Sequence, residues 1–538
     1  MLPFAAMLAC LVLTPLIVLG WLALQAGTAH WSHLVMHVLP GAAANTALLL
    51  LGVGVLAALL GTGSAWLVTA YDFPGRRVLS WALLLPLAVP TYIVAYAYLD
   101  LLHPIGPVQT ALRALLGYDN PRQLRLPDLR SLQGAIFVLG FVLYPYVYLT
   151  TRVMFMSQAA SLLEAARTLG ATRMETFWRV VLPMARPAIA VGVSLALLEA
   201  LNDIGASEFL GIQTLTVAVY TTWVTRSDLG GAAQIALAML IFVTGLILLE
   251  RHGRQRQRFS GTQRMRPLQA THLRGANAVL ALVLGALPVI IGFAAPAAYL
   301  MAETVKRLHL MGGVSAQLLA ALINTLVVAT AATLLTLLCG LVVAWAARNT
   351  SSGAGNGFDL PRVCVRIAGL GYAVPGTVLA IGLLTPLLMI DSAWGFVTGN
   401  SGLFLMGSMA ALVIAYGIRF LAISSGGIEA GLTRIPPSLE QASRLLGETA
   451  TGTLRRVHLP LLRPVLAASA LLVFVDAMKE LPVTLLLRPM NFDTLATWLY
   501  ADAARGSYEE GAVAALAIVA AGLLPVILLA RINLKMGR

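Results

Sequence analysis

The stretch LEAARTLGATRMETFWRVVLPMARPAI, residues 163–189, recurs as EQASRLLGETATGTLRRVHLPLLRPVL at residues 440–466. Gly170 becomes Gly447, 277 residues later (447 − 170). The same shift aligns Arg167 with Arg444, Val180 with Val457, Leu182-Pro183 with Leu459-Pro460, and Arg186-Pro187 with Arg463-Pro464. Each copy is a charged segment between long apolar runs, and each predicts two short helices that a glycine separates. The proline shortly afterwards is typical of the first turn of the next helix.

The composition around the two copies is that of a membrane protein. The chain has 538 residues, of which 59% are hydrophobic and 11% charged, and its mean hydropathy is +0.84. A soluble core cannot bury so large an apolar fraction, so the composition indicates a polytopic membrane protein. The net charge of +13 fits basic loops facing anionic lipid and gives no reason to expect a nucleic-acid partner. Three widely spaced cysteines make neither a metal-binding spacing nor a disulfide framework.

Apolar runs of about 20 residues, the length that crosses a bilayer, predict about 12 spans in two sets of six. The first set lies at roughly 4–25, 44–70, 78–101, 134–151, 188–211 and 232–250. The second set lies at about 277–301, 322–347, 366–390, 403–425, 466–487 and 512–531. Pro90 and Pro375 fall inside spans and predict kinks. The expected fold class is therefore all-α.

Further matches in the same order indicate that one six-helix unit was duplicated and fused. Asn45-Thr46 at the start of the second span recurs as Asn324-Thr325, Trp66 recurs as Trp345, and Ala88-Val89-Pro90 recurs as Ala373-Val374-Pro375. The sequence predicts a first unit at 1–250, a basic linker at 251–276 and a second unit at 277–538.

Basic residues in short loops predict the orientation of the chain in the membrane. Residues 251–277 carry seven arginines and no acid, and both duplicated segments are rich in arginine. Arg531, Lys535 and Arg538 end the chain. We therefore expect the duplicated segments, the linker and both termini to face the cytoplasm.

The duplicated segment resembles the cytoplasmic "EAA" loop of ABC importer permeases, a coupling helix that docks into the ATPase subunit. The resemblance implies two tandem type I permease units, with coupling loops at 152–187 and 426–465. The coupling residues that it implies are Glu164, Ala165, Ala166, Gly170, Leu182 and Pro183 in the first copy, and Glu440, Gln441, Ala442, Gly447, Leu459 and Pro460 in the second. The second copy has Gln-Ala-Ser in place of the triplet, with its acid one position early, so the role of that acid is open.

The same resemblance implies the partners. No G-x-x-x-x-G-K-[ST] phosphate loop occurs in the chain, so ATP and magnesium are expected on a separate ATPase and no cofactor on this chain. Two coupling loops imply two ATPase copies, and a solute-binding protein would deliver the substrate. The expected location is the bacterial inner membrane, in a transport subunit that is not itself an enzyme.

Charged residues within the fifth and eleventh predicted spans are the candidates for the translocation path, because a charge in a span normally faces a cavity or a partner. They are Glu199, Asp203 and Glu208 in the first half, and Asp476, Lys479 and Glu480 in the second. The four-residue spacing of Glu199 and Asp203, repeated at Asp476 and Glu480, predicts an acidic pair on one helix face. The alternative interpretation is structural pairing, with Lys479 binding Asp476 or Glu480.

Residues 203–223 and 479–500 resemble the corresponding parts of ferric iron importer permeases, and fused thiamine and aminophosphonate permeases look similar. The resemblance implies ferric iron as the substrate, with thiamine or another small solute as the alternative. Tyr92 and Tyr96 share one face, as do Tyr144 and Tyr148, and they fit either a ferric ion or the membrane interface. His30, His33 and His37 fit either a metal contact or an interfacial helix, and we predict no metal site. A secondary transporter, which also uses repeats and buried acids, is the competing class.

Overall fold

The computed structural model describes residues 2–26, 29–118, 120, 122–157, 166, 168–255, 270–350, 360–399, 402–506 and 508–536. Glu164, Ala165 and Arg167 of the first coupling loop and most of the basic linker lie outside these residues. The described part is almost entirely helical, which confirms the all-α fold class.

The first half contains twelve described α-helices, which we number in chain order. They are α1 (Leu2–Gln25), α2 (Ala29–His33), α3 (Leu39–Ala70), α4 (Arg76–Ala82), α5 (Thr91–Leu101), α6 (Pro107–Leu116), α7 (Leu132–Ser157), α8 (Arg173–Thr176), α9 (Leu182–Asn202), α10 (Gly205–Phe209), α11 (Leu215–Tyr220) and α12 (Leu229–Gln255). Single π-helical turns cover Leu34–Val38, Phe177–Val181 and Thr221–Thr225, and a 3₁₀ turn covers Leu85–Ala88.

The second half follows the same plan. Its described helices are α13 (Ala276–Val289), α14 (Ala295–Met311), α15 (Ala316–Thr350), α16 (Leu360–Ala368), α17 (Leu370–Ala373), α18 (Gly376–Thr398), α19 (Met409–Thr433), α20 (Pro437–Leu445), α21 (Ala450–Thr453), α22 (Leu459–Met478), α23 (Pro482–Leu487), α24 (Leu495–Arg505) and α25 (Tyr508–Met536). π-Helical turns cover Ile290–Ala294 and Leu454–His458. Strands β1 (Tyr71–Asp72) and β2 (Thr271–His272) form a short parallel pair.

Within the described residues, 11 helical segments are long and apolar enough to cross a membrane, and a bent pair brings the number to 12. That pair, Arg76–Ala88 and Thr91–Leu101, turns by 92° at Pro90, where a sequence-based kink is predicted. Pro375 is the residue before α18 and has nearly the same backbone angles as Pro90, with ψ 141° against 144°. Proline cannot continue the preceding helix, so both predicted kinks are helix breaks.

The helices form two compact units, and each combines segments of both sequence halves. One unit comprises residues 1–37, 218–240 and 313–500, and the other comprises 38–217, 241–312 and 501–538. Helix α1 packs against α15, α16 and α18, whereas α14 packs against α5 and α25. The compact units therefore differ from the division at the linker that the repeat predicts. The first span of each half belongs to the unit built around the core of the other half.

The core of each unit is a three-helix cluster. In the first half α3, α7 and α9 pack together, and in the second half α15, α19 and α22 do so. Gly61 of α3 lies against α7 so closely that an added Cβ would lie 2.6 Å from Cβ of Val147. Gly340 of α15, its repeat counterpart, likewise lies against Ser424 of α19. The duplicated glycines thus allow the same close helix crossing in both units.

Candidate functional site: coupling loops and buried acids

The second coupling loop forms the helix–glycine–helix arrangement that the sequence predicts. Helix α20 ends just before Gly447, whose φ of +83° lies in the left-handed region. The Thr449 hydroxyl then accepts a hydrogen bond from the amide of Gly452 at 3.1 Å and caps α21. Ser443 on α20 and Thr453 on α21 are joined by a hydroxyl hydrogen bond of 3.0 Å. The two short helices are therefore locked into one rigid loop.

The described part of the first coupling loop repeats this geometry. Gly170 has a φ of +88°. Thr172 and Glu175 form a reciprocal capping box, in which Glu175 accepts hydrogen bonds of 2.9 Å from the amide and hydroxyl of Thr172. Leu182-Pro183 and Leu459-Pro460 both begin the long helices that follow, α9 and α22. Each coupling loop is therefore followed directly by an equivalent long helix.

Both loops present apolar side chains outward beside the glycine. Leu169 and its counterpart Leu446 are 88% and 85% exposed, and Leu445 is similarly exposed. Gln441 and Ala442 also lie on the exposed surface of α20, whereas Ala166 is half-buried. An exposed apolar surface on a charged loop is the form expected of a docking site for another protein.

Glu440 does not belong to this exposed surface. It is 9% exposed, and its Oε1 accepts hydrogen bonds from Arg348 Nε at 2.8 Å and from His458 Nε2 at 3.1 Å. The Arg348 Nη2 also donates to the Ile435 carbonyl at 2.9 Å. The acid that precedes the altered triplet therefore binds helix ends within its own unit. Sequence reasoning missed Arg348 and His458, although comparison with Thr69 and Val181 in the first copy could have singled them out.

The acidic pairs do not share a helix face, which corrects the prediction from their spacing. Helix α9 ends at Asn202, and Asp203 has an extended ψ of 110°. Helix α22 ends at Met478, so Glu480 also follows the helix end. The predicted spans 188–211 and 466–487 are therefore broken, and each acid lies in the break before a short helix, α10 or α23. Gly205 and Pro482, at matched positions, begin those short helices.

In the first half the break is held by Asp203. Its Oδ1 accepts a hydrogen bond of 2.8 Å from the amide of Ala206 in α10, and its Oδ2 accepts one from the hydroxyl of Thr91. Thr91 follows the helix-breaking Pro90. One carboxylate thus joins the break after α9 to the break before α5.

The equivalent break in the second half is held by a buried ion pair. Glu480 Oε1 accepts from the amide of Val483 at 3.2 Å, and Oε2 lies 3.2 Å from Arg419 Nε. Both side chains are at most 7% exposed. The Arg419 Nε–H makes no aligned hydrogen bond, so this contact is electrostatic. Gly376, the counterpart of Thr91, leaves the space that the pair occupies, since an added Cβ would lie 2.7 Å from Arg419 Nη1.

The other charged candidates lie nearer the surface of their units. Lys479 Nζ binds Asp476 Oδ1 at 2.8 Å, the structural pairing considered above. Glu199 and Glu208 are half-buried. The partner of Glu480 is thus Arg419, from a different helix, which sequence spacing did not indicate. The role of all six residues in a translocation path stays a prediction.

Within the described residues, no three His, Cys, Asp or Glu side chains lie close enough to hold a metal ion. His33 and His37 stack with ring centroids 5.0 Å apart, and the side chain of His30 lies outside the described part. The paired tyrosines on the third and fourth spans are at most 5% exposed and pack inside their unit, not at its surface; they are Tyr92, Tyr96, Tyr144 and Tyr148.

Comparison with known proteins agrees with the duplicated architecture. Residues 52–259 and 350–536 each match the family described as binding-protein-dependent transport system inner membrane component. The two matches cover most of the chain, and each includes one coupling loop and one of the helix breaks at Asp203 and Glu480.

Curated relatives match either the whole chain or one half. The chain is 25% identical over 496 residues to "Fe(3+)-transport system permease protein FbpB 2" of Haemophilus influenzae, covering 91% of this chain and 90% of the relative. It is 26% identical to "Probable ABC transporter permease protein y4fN" of Sinorhizobium fredii, covering 87% and 83%. "Putative 2-aminoethylphosphonate transport system permease protein PhnU" of Salmonella paratyphi A is 30% identical over 196 residues, 36% of this chain and 67% of the relative. With two family matches in tandem on a helical fold whose described residues form 11 or 12 candidate spans, this chain belongs to the binding-protein-dependent transport system inner membrane components and is a fused ABC importer permease.

Proposed function

We propose that this permease forms the translocation path for ferric iron. The observation that carries the proposal is the likeness to an Fe(3+)-transport permease along 91% of this chain and 90% of that relative. The match includes both coupling loops and the two helix breaks that contain Asp203 and Glu480, which we call the acidic breaks. It is therefore not confined to a shared ATPase-docking segment. Matches to the 2-aminoethylphosphonate permease cover one half only, which makes another small solute the second candidate.

The power for transport would come from two copies of a separate ABC ATPase, one at each coupling loop. Three features support this arrangement: the loops occur twice, each holds its glycine in the left-handed conformation, and each exposes a leucine beside it. ATP and magnesium would bind to the ATPase. Both termini would lie in the cytoplasm with the loops, as the arginine distribution predicts.

Transport would follow alternating access. Closure of the ATPase pair on ATP would move the two loops, and α9 and α22 begin where the loops end. Because these helices run as single rods of 21 and 20 residues, a displacement at the loop is passed along about 30 Å of helix. The acidic breaks at their far ends would then change position and open the path to the other side. A solute-binding protein would supply the iron.

Uptake of radioactive ferric iron into proteoliposomes tests the proposal. The vesicles would hold this chain with its co-purifying ATPase, and an iron-loaded binding protein would be added outside with ATP inside. We expect iron accumulation that needs ATP and persists after an ionophore collapses ion gradients. ATPase stimulation by another loaded binding protein, without iron entry, would keep the class and reject iron. Accumulation that needs a gradient and no ATPase would indicate a secondary transporter.

A further inference from the structure

The two coupling loops differ in one respect that the family likeness does not address. The second loop is held by three charged or ionisable side chains, Arg348, Glu440 and His458, which we call the charged anchor. The shifts that align the repeats place Thr69, Leu163 and Val181 at the same positions in the first half. All three first-half residues are uncharged, so the same charged cluster cannot form at these three positions of the first half.

The anchor joins three segments at one carboxylate oxygen. Arg348 lies near the end of α15, Glu440 lies within α20, and His458 is the residue before α22. The distances to Glu440 Oε1 are 2.8 Å from Arg348 Nε and 3.1 Å from His458 Nε2. A carboxylate only accepts, so both nitrogens donate. These hydrogen bonds connect α20 to α15 and to the start of α22. Helix α20 also carries the exposed Gln441 and Ala442.

Burial strengthens these contacts. The side chains of Arg348, Glu440 and His458 are 18%, 12% and 4% exposed. Charged hydrogen bonds shielded from water are stronger than exposed ones, because the local dielectric constant is low. An apolar cluster near the anchor joins α15, α19 and α22; it comprises Ala344, Ile428, Leu432, Ile435 and Leu462. Arg348 also binds the carbonyl of Ile435, a member of that cluster.

We propose that Arg348, Glu440 and His458 are positioning residues that couple the second loop to α22 more rigidly than the first loop is coupled to α9. The proposal rests on the proposed docking of an ATPase at each loop. A displacement of α20 would be transmitted through the Glu440 carboxylate to His458, which directly precedes α22. In the first half the residues at these positions carry no charge, and Val181, the counterpart of His458, is a fully buried apolar side chain. The two ATPase copies would therefore act on the two halves unequally.

The test is a symmetrised variant, Arg348→Thr/Glu440→Leu/His458→Val, which places the first-half residues in the second half. The full chain would carry Cys10→Ser, Cys339→Ser and Cys364→Ser, with Leu169→Cys or Leu446→Cys as a reporter. Both reporter positions lie on exposed loop surface. In lipid nanodiscs with the co-purifying ATPase, the maleimide labelling rate at each position measures how firmly the ATPase covers that loop.

We expect the ATPase to protect both reporters in the parent chain. In the symmetrised variant, protection at position 446 should fall about tenfold, within the range of typical coupling between sites, while protection at position 169 is unchanged. A merely structural role would lower both together with the melting temperature. Arg348→Lys, which keeps the charge, should retain most of the protection. Glu303→Gln/Lys306→Gln, which removes an ion pair on α14, is the matched control and should change neither.

Equal protection at position 446 with and without the anchor would overturn the inference while leaving the proposed docking intact. Loss of protection at both positions in a folded variant would also overturn it. If the symmetrised chain does not fold, Glu440→Gln removes the charge and preserves the shape of the side chain for the same comparison. Absence of protection at either position in the parent chain would reject ATPase docking itself, and the anchor with it.

Discussion

Removal of the Arg419 guanidinium is the sharpest test of how the acidic breaks are held. In Arg419→Met the Glu480 carboxylate stays in place with 6% side-chain exposure and loses its cation. Removing one partner of a buried ion pair typically destabilises a protein by ~3–5 kcal/mol, because the remaining charge has no compensation. For a compact unit of this size, each kcal/mol of lost stability lowers the melting temperature by ~2–4 °C. We therefore expect the melting temperature to fall by ~6–20 °C.

The double variant Arg419→Met/Glu480→Gln isolates the charge from the loss of packing. It leaves no buried charge, and the glutamine oxygen can still accept from the Val483 amide, which lies 3.2 Å from Glu480 Oε1. Replacing a buried pair by uncharged groups of similar volume is often neutral, so most of the lost stability should return. The measurement is thermal unfolding by intrinsic fluorescence in nanodiscs.

Lys479→Met provides the matched control, because it removes a pair in the same segment that is more exposed, at 32% for Lys479 and 19% for Asp476. Such a pair contributes up to ~1 kcal/mol, which corresponds to a shift of less than ~4 °C. Equal destabilisation by Arg419→Met and by the double variant would refute the reasoning, since the loss would then come from packing and not from an unpaired carboxylate.

Two further predictions concern the coupling loops and the exchange of first spans. Gly170→Val/Gly447→Val should abolish ATPase attachment but not membrane insertion: neither added Cβ meets an atom within 4 Å, so the effect is backbone strain of ~1–2 kcal/mol at each positive φ. Normal ATP-driven uptake by this variant would contradict the role of the loops, and membrane fractionation with ATPase co-purification measures both properties. Helix α1 carries Cys10 and packs against α16, which carries Cys364, so a short bismaleimide should join the two cysteines. After cleavage at a protease site engineered into the linker, the two fragments should then migrate together on a denaturing gel, and separately in Cys10→Ser. Separate fragments in the parent chain would contradict the packing of α1 against α16.

The family assignment needed little more than the chain itself. The number of apolar runs gives the number of spans, because a segment that crosses the hydrocarbon core must satisfy its own backbone hydrogen bonds and is therefore helical. A duplicated segment is visible because both copies keep Gly170 or Gly447, and these glycines hold a left-handed backbone that other residues adopt only with strain. Prolines at 90 and 375 likewise indicated kinks, because proline lacks the amide that a helix needs, and the structure shows a helix break at each.

The positions of the buried charges were beyond sequence reasoning. Spacing of four residues predicts a shared face only while the helix continues, and both helices end before Asp203 and Glu480. The arginine partners of Glu480 and Glu440 lie 61 and 92 positions away along the chain (480 − 419 and 440 − 348), a separation that no local pattern reveals.

Sequence by itself therefore determined the all-helical class, the duplicated glycine-centred loops and the family, because these depend on local periodicity and backbone preference. Tertiary structure alone decided which acid meets which base and which half supplies the first helix of each compact unit. It also decided that Glu440 faces inward while Leu446 faces outward. The physical reason is that ion pairs and helix packing depend on which surfaces meet in space, and distant segments of a chain carry no local signal of that meeting.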